Sequence, residues 1–333
     1  MIRNFFACFS DDVAIDMGTS NTLVLSHGDV LVNEPSVIAV RQEANGGNRL
    51  AAAGMEAKRM IGKESRNIKA IMPVREGVVV DFEMASLMLK HYLGRTRTRR
   101  FGKNRRIMVT APTAITPVES KSLINLIESV GAGEVRLIEE PIAAALGSGI
   151  RINEPEGSLI VDIGGGITET AVLSLSGIVC SKTIPVAGNH MDAAIVQYMK
   201  KNYSLLIGDK LGEEIKTTIG CAFFDEGNTV VTVKGMDLIS GIPSYREVNG
   251  EEFRFAMMPQ IEHIVDAIKE VLGQCPPELS ADIVNRGIVL TGGCALLANI
   301  HNILSDKIGL PITVSKDPLL AVARGAGMAL GGL

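Results

Sequence analysis

The chain has 333 residues, 46% of them hydrophobic and 21% charged, with a formal net charge of −4, the profile of a globular protein with ample core. That length favours two lobes, the slightly acidic balance argues against a general nucleic-acid binder, and no apolar run approaches the roughly 18–20 residues of a membrane span. The cysteines (Cys8, Cys180, Cys221, Cys275 and Cys294) are scattered without a C-x-x-C pair, and the histidines lack H-E-x-x-H spacing. The thiols read as buried or incidental in a reducing cytoplasm, with neither a disulfide framework nor a zinc site.

In chain order, the first feature is Ile2, Phe5, Phe6 and Phe9, large apolar residues spaced as one face of a helix. Such a stripe suits an interfacial membrane anchor or a segment folded back on the core. Asp11 and Asp12 follow at once, which speaks against a secretory signal. Next, Asp16-Met-Gly-Thr-Ser-Asn-Thr22 lies between Val13-Ala-Ile15 and Leu23-Val-Leu25, reading as strand, tight turn, strand. Residues 33–65 are mixed, turn-prone at Asn45-Gly-Gly-Asn48, and read as a small insertion on the first lobe. Seven basic residues follow (Arg95, Arg97, Arg99, Arg100, Lys103, Arg105 and Arg106). Such a run is ordinarily a solvated loop and would also favour an anionic membrane surface. Phe101 is its one aromatic, too little for a nucleic-acid stacking platform.

Residues 106–112 read as a buried strand. Thr116, Pro117 and Glu119 stand at capping-box spacing. The helix they open carries Leu123, Ile124, Ile127 and Val130 on one face and stops at Gly131. Val135-Arg-Leu-Ile138 is another strand, and Glu139-Glu140-Pro141 opens an alanine-rich helix. Glu140 therefore lies at a helix N-terminus beyond the carboxyl end of a strand, where α/β sheets bind ligands. Asp162-Ile-Gly-Gly-Gly-Ile-Thr-Glu-Thr170, between Leu159-Ile-Val161 and Ala171-Val-Leu173, then repeats the first hairpin. Helices are expected over 191–202 and 213–219, short strands over 228–248, and a long helix over 250–273 that Pro259 kinks or breaks. Gly287-Ile-Val-Leu-Thr-Gly-Gly293 is a strand entering a glycine turn, and the helix after it should bury Leu296, Leu297, Ile300, Ile303 and Leu304. A strand over 311–314 and an Ala/Gly-rich helix return the chain to the first lobe. The fold class is α/β with two related halves.

The duplicated Asp-x-Gly hairpin carries the chemistry. Glycine lets a turn approach a ligand closely, and successive N–H groups in such a turn make an anion-binding concavity. The leading aspartate offers a hard oxygen for a magnesium ion held mainly by water and phosphate. Two such hairpins facing each other would clamp a nucleoside triphosphate.

The order of these motifs resembles the actin, Hsp70 and sugar-kinase superfamily. Asn33-Glu-Pro-Ser-Val37, Gly77-Val-x-x-Asp81-Phe82, Leu206-Ile-Gly208 and Pro276-Pro-Glu-Leu279 are similar to bacterial actins of the MreB family, and the likeness runs from about residue 11 to 330. The resemblance implies an actin-like (ribonuclease H-like) duplicated two-lobe ATPase fold with four subdomains. Residues 1–32, 66–145 and about 315–333 would form the first core, and 33–65 its small insertion. Residues 146–181 and 246–314 would form the second core, with 182–245 as the second small subdomain. It further implies a cytoplasmic, membrane-associated protein that binds ATP or ADP with Mg2+ and polymerises into antiparallel double protofilaments. Such a protein organises cell-wall elongation and rod shape with RodZ and the elongation machinery, without nucleic acid.

Residue by residue, the resemblance gives Asp16 and Asp162 to magnesium, through water. Thr19, Ser20 and Asn21, with Gly164, Gly165 and Gly166, would cradle the phosphates, and Ile167, Thr168 and Glu169 continue the second turn. Glu213, Glu214, Ile215 and Lys216 match the adenosine-contacting helix, while Gly292, Gly293, Cys294 and Ala295 would pass under the nucleotide. Glu140 matches the glutamate that orients the attacking water, and Thr168 would assist it.

One departure bears on turnover. The family reads Gly-Gly-Gly-Thr-Thr where this chain reads Gly164-Gly-Gly-Ile167-Thr168. Isoleucine lacks the hydroxyl that helps hold the lytic water, a loss of about 2–4 kcal/mol by analogy with deleted oxyanion donors. Hydrolysis is therefore expected to be slow, unless Thr168 or backbone groups take over. Asn189, Thr218 and Cys294 stand where the family has aspartate, glutamate and glycine, and Cys294 reads as a buried small residue. A sugar kinase would need its own catalytic aspartate, and none is identifiable. An Hsp70 chaperone would need a peptide-binding domain after the ATPase core, where this chain ends. A nucleotide-binding scaffold or co-polymerising paralogue with little turnover is the alternative.

Overall fold

A computed structural model describes residues 12–43, 47–96, 105–219 and 229–331. The stripe Ile2, Phe5, Phe6 and Phe9 and most of the basic run lie outside them. The chain divides into two compact units. One comprises the described residues up to Pro155, with Ser174–Ile178 and those from Leu319 onward; the other is Glu156–Leu173 and Val179–Pro318.

The first unit opens on an antiparallel meander, β1 (Val13–Met17), β2 (Asn21–Ser26) and β3 (Asp29–Pro35). A small separate sheet of β4 (Ile38–Gln42), β5 (Asn48–Ala53) and β6 (Ile68–Ile71) closes with the one-turn helix α1 (Met55–Lys58) around Val37, Ala39, Ala52 and Ala57. The short hairpin β7 (Val74–Arg75) and β8 (Val78–Val79) leads into α2 (Phe82–Arg95). Asp81 caps that helix by accepting from the Met84 N–H at 3.0 Å. β9 (Arg106–Ala111) and β10 (Glu134–Glu139) extend the main sheet by parallel pairing, in the order β10-β9-β1-β2-β3. β1 and β9 are buried along most of their length, which is why they read as continuous apolar runs. Between β9 and β10, α3 (Pro117–Ser129) carries the expected capping box of Thr116 and Glu119. It buries Leu126 with Leu123 and Ile127, and Ile124 is only half-buried. α4 (Glu140–Gly147) follows β10 directly. Tyr92, fully buried in α2, donates its hydroxyl to the Pro35 carbonyl at 2.6 Å and pins that helix to the end of β3.

The second unit repeats the plan. β11 (Ser158–Ile163), β12 (Thr168–Ser174) and β13 (Gly177–Ile184) form the meander. α5 (Gly188–Tyr203), β14 (Leu205–Leu206), α6 (Asp209–Ile219), β15 (Val230–Asp237) and β16 (Pro243–Asn249) follow, the three strands making a small sheet. α7 (Gly250–Gln274) and α8 (Pro277–Arg286) lead to β17 (Ile288–Thr291), a 3-10 turn at Gly293–Leu296, α9 (Ile300–Ile308) and β18 (Ile312–Val314). β17 pairs in parallel with β11 and β18 with β17, so the order β13-β12-β11-β17-β18 matches the first sheet strand for strand. α10 (Ala321–Gly331) returns the chain to the first unit and packs on α4. Glycine makes that contact possible: an added Cβ at Gly147 would overlap the Ala321 carbonyl, and one at Gly325 the Ala143 carbonyl.

One expectation is narrowed, since Pro259 does not break its helix, and another is corrected. Pro259 lies inside α7, which runs unbroken from Gly250 to Gln274. A helical proline clashes with the carbonyl four residues back, here that of Phe255, on an exposed turn of the helix where water can satisfy it. Leu296 is not part of a buried helical face; it ends the 3-10 turn with its side chain exposed. Asn299, at φ 62°, redirects the chain before α9 begins, and Leu297, Ile300, Ile303 and Leu304 are buried.

Candidate functional site

In the first hairpin Met17 pairs with Thr22, and in the second Ile163 pairs with Thr168, so the same number of residues separates the paired positions in each. The common register sets Asp16 in correspondence with Asp162, Gly18 with Gly164, Asn21 with Ile167, and Thr22 with Thr168. The likeness extends to the parallel neighbour strands. Thr110 on β9 donates its hydroxyl to Asp16 Oδ1 at 3.0 Å, and Thr291 on β17 stands opposite Asp162.

In the first unit, neighbouring loops fix the turn. Ser36 donates its hydroxyl to the Gly18 carbonyl at 2.6 Å and its N–H to the Ser20 carbonyl at 2.9 Å. The Gly77 N–H donates to Thr19 Oγ1 at 3.0 Å. Thr19 is buried, whereas Ser20 and Asn21 are half-exposed. Burial pushes the Asp16 carboxyl up to about 6, against the opposing hydrogen bond from Thr110. Glu140 is the first residue of α4, half-buried at the positive end of its helix. Of the basic run, Arg95 pairs with Glu34 at 3.1 Å and Arg106 with Asp12, so both serve the fold. Arg105 is buried, and its carbonyl accepts from Gly133 and Glu134.

In the second unit the start of α5 supports the glycine turn. The N–H groups of Gly188 and Asn189 donate to the carbonyls of Gly164 and Gly165 at 3.2 and 2.8 Å. Gly164 closes the turn on the Ile167 carbonyl at 3.0 Å. Among the described residues, no backbone carbonyl outside the helices and strands accepts from the Gly165 or Gly166 amide, leaving donors where an anion would sit. Asp162 is buried, and Gly292, at φ +86°, lies so close that an added Cβ would overlap its Oδ1 and the Ile163 carbonyl. Cys294 donates its thiol to the Gly164 carbonyl at 3.3 Å, and burial pushes that thiol up to about 11. Cys294 and Ala295 are buried in the 3-10 turn that Gly293 begins.

The remaining residues divide by environment. Ile167 is buried, and Thr168 donates its hydroxyl to the Val186 carbonyl at 2.7 Å. Glu169 is buried and accepts from the Thr183 hydroxyl at 2.9 Å. On α6, Glu213 is half-buried, Glu214 is exposed beside Lys210 at 3.5 Å, and Ile215 and Lys216 are buried. The Lys216 ammonium reaches Asp192 at 2.8 Å and the Gly188 carbonyl at 3.0 Å. Sequence reasoning assigned no role to Ser36, Thr110, Gly188 or Asp192. Gly188 alone carried a signal, a glycine opening a helical stretch, and an added Cβ there would meet Cys294, Lys216 and the Gly164 carbonyl.

The family model "MreB/Mbl protein" matches residues 10–333. The chain belongs to the MreB/Mbl family. Its relatives include the cell shape-determining protein MreB of Escherichia coli K12, 42% identical over 333 residues, covering 99% of this chain and 96% of that protein. The crystal structure of MreB5 of Spiroplasma citri bound to AMPPNP is similar with a TM-score of 0.90 at 36% identity, covering 95% of each chain. The same protein bound to ADP matches equally. The MamK double helical filament matches with a TM-score of 0.78 at 21% identity over 97% of this chain and 99% of that one. The fold of this MreB/Mbl-family chain is therefore the actin-like one, an α/β fold with mixed sheets.

Proposed function

We propose that this chain is an ATP-binding bacterial actin that polymerises on the inner face of the cytoplasmic membrane and organises cell-wall elongation and rod shape. The observation that carries the reading is the duplicated hairpin, with a carboxylate and a glycine turn in matching registers of both units. Similarity to an MreB5 bound to AMPPNP and to ADP, and to a cell shape-determining MreB, supports it.

The turns cradle the phosphates, with the Gly165 and Gly166 amides and Thr19 among the contacts. The donor chemistry fits magnesium, since Asp16 and Asp162 are hard carboxylate ligands that hold a hydrated ion beside phosphate. When bound, the ion neutralises charge on the transferring phosphoryl group. Glu140 orients the attacking water. Turnover is slow: Ile167 offers no hydroxyl, and the Thr168 hydroxyl already donates its hydrogen bond to the Val186 carbonyl. A scaffold or co-polymerising paralogue with little turnover is the second reading, favoured by that same pair of residues.

Self-association is supported by the β15–β16 hairpin, which exposes Leu238, Ile239 and Ile242 at its tip. Asp237 holds that tip by accepting from the N–H groups of Ile239 and Ser240, each at 2.9 Å, and from Arg246 at 2.5 Å. These bonds hold its carboxyl down at about 2, with the Ser240 amide the largest influence. Antiparallel double protofilaments and contact with RodZ complete the reading. The anchor is the segment containing Ile2, Phe5, Phe6 and Phe9, whose modest affinity polymerisation multiplies.

Electron microscopy on an anionic lipid monolayer tests this. Paired filaments with magnesium-ATP, and none without it, are expected. Monomers under every condition with ATP still bound would transfer the function to a co-polymerising partner. Deleting residues 2–9 should weaken liposome co-sedimentation.

A further inference from the structure

Two of the scattered cysteines meet in the second unit. Cys180 stands on β13, the edge strand of its sheet. Its thiol reaches the Val271 carbonyl, in the last turn of α7, at 3.6 Å. Cys275 is the C-cap residue of that helix, one turn beyond Val271, so the Val271 carbonyl that the Cys180 thiol reaches points along the helix axis toward Cys275. Both pack against the core of the unit, both are free, and both are half-exposed. The ion pair between Lys182 and Glu270, at 2.9 Å, ties the same strand to the same helix end. Strand and helix thus hold the sulfurs together although 95 positions separate them in sequence.

We propose that Cys180 and Cys275 form a dithiol site that a hydroperoxide oxidises to an intramolecular disulfide, stapling the edge strand β13 to the end of α7. Cys275, at the open helix end, reacts first: its sulfur attacks hydrogen peroxide, the O–O bond breaks, and a sulfenic acid and one water form. The Cys180 sulfur then attacks the Cys275 sulfur, the S–O bond breaks, and a second water leaves as the disulfide closes. Two thiols and one peroxide give one disulfide and two waters, so two electrons pass from sulfur to peroxide oxygen. Burial, foremost, holds the Cys180 thiol up, which disfavours Cys180 as the sulfur that meets peroxide first.

The test uses the full reduced chain, treated with hydrogen peroxide, capped with N-ethylmaleimide and digested without reductant. Mass spectrometry should find a peptide pair joined through Cys180 and Cys275, lost on adding reductant. Cys275→Ser should abolish the pair, while Cys180→Ser should leave a sulfenic acid on Cys275 that dimedone captures. Oxidation should raise the melting temperature of the parent chain and leave that of Cys275→Ser unchanged. Both thiols fully capped by N-ethylmaleimide after peroxide treatment would overturn the proposal. So would a disulfide between copies, or one that uses Cys8, Cys221 or Cys294.

Discussion

The Lys216 ammonium lies 2.8 Å from Asp192 Oδ1, with the two side chains only 8% and 12% exposed, so the pair bridges α6 and α5 within the interior of the second unit. Replacing a buried ion pair by apolar groups is often neutral, but removing one partner strands the other charge. Lys216→Met should therefore lower the unfolding free energy by about 3–5 kcal/mol. The double variant Lys216→Met with Asp192→Leu should regain part of that loss. Urea unfolding of Lys216→Met, Asp192→Leu and the double variant gives the coupling directly. Equal destabilisation by the single and double changes would deny the pair its structural role.

Asp16 makes stability depend on pH with a definite sign. Its folded-state pKa of about 6 lies above the ordinary 3.8, so between those values the folded chain keeps a proton that the unfolded chain has lost. Stability of the nucleotide-free protein should fall as pH rises from about 4 to about 6 and level off above, by at most about 3 kcal/mol from this group. Asp16→Asn should remove that component in urea titrations across the window. On the proposed magnesium role, affinity for magnesium-ATP should weaken as pH falls below about 6, where Asp16 loses its charge.

Ile167→Thr restores a hydroxyl beside the glycine turn. Steady-state phosphate release should rise about thirtyfold or more, for a barrier reduction of about 2 kcal/mol or more. Because Ile167 is buried, the same change should cost about 1 kcal/mol of stability. An unchanged release rate in a folded variant would mean that other groups already position the water.

Ile239, 85% exposed on the β15–β16 tip, is available to a neighbouring copy. Ile239→Asp should leave the melting temperature nearly unchanged, since a surface position is altered. The critical concentration for pelleting with magnesium-ATP should rise about tenfold or more. Assembly at the parent concentration would move the contact elsewhere.

The hairpins were legible because their signal is local: an aspartate, a glycine turn and flanking apolar strands lie within about ten residues. The partners of those turns were not. Thr110 reaches Asp16 across 94 positions, and Gly77 reaches Thr19 across 58, separations that no short-range pattern encodes. Lys216 illustrates a second limit, because an exposed and a buried lysine look alike until Asp192 is placed beside it. Leu296 illustrates a third. Its spacing from Ile300 and Ile303 suits a helix, yet Gly292 at φ +86° and Asn299 at φ 62° impose a tight turn that apolar periodicity does not reveal. The pairing of Cys180 with Cys275 was likewise invisible, since it depends on where an edge strand meets the end of a helix.

The close seating of α4 against α10, through Gly147 and Gly325, has a consequence for how the protein is made. Glu140 begins a helix whose backing is encoded between residues 321 and 331, after every residue of the second unit. During translation the first unit cannot finish, because α4, though it touches β9 and β10, lacks its main packing partner until α10 has been synthesised. Contacts of such long sequence separation form late and slowly, and a chain waiting for them exposes apolar surface. A ribosome stalled after Pro318 would thus carry a second unit with all of its elements and a first unit still open along α4.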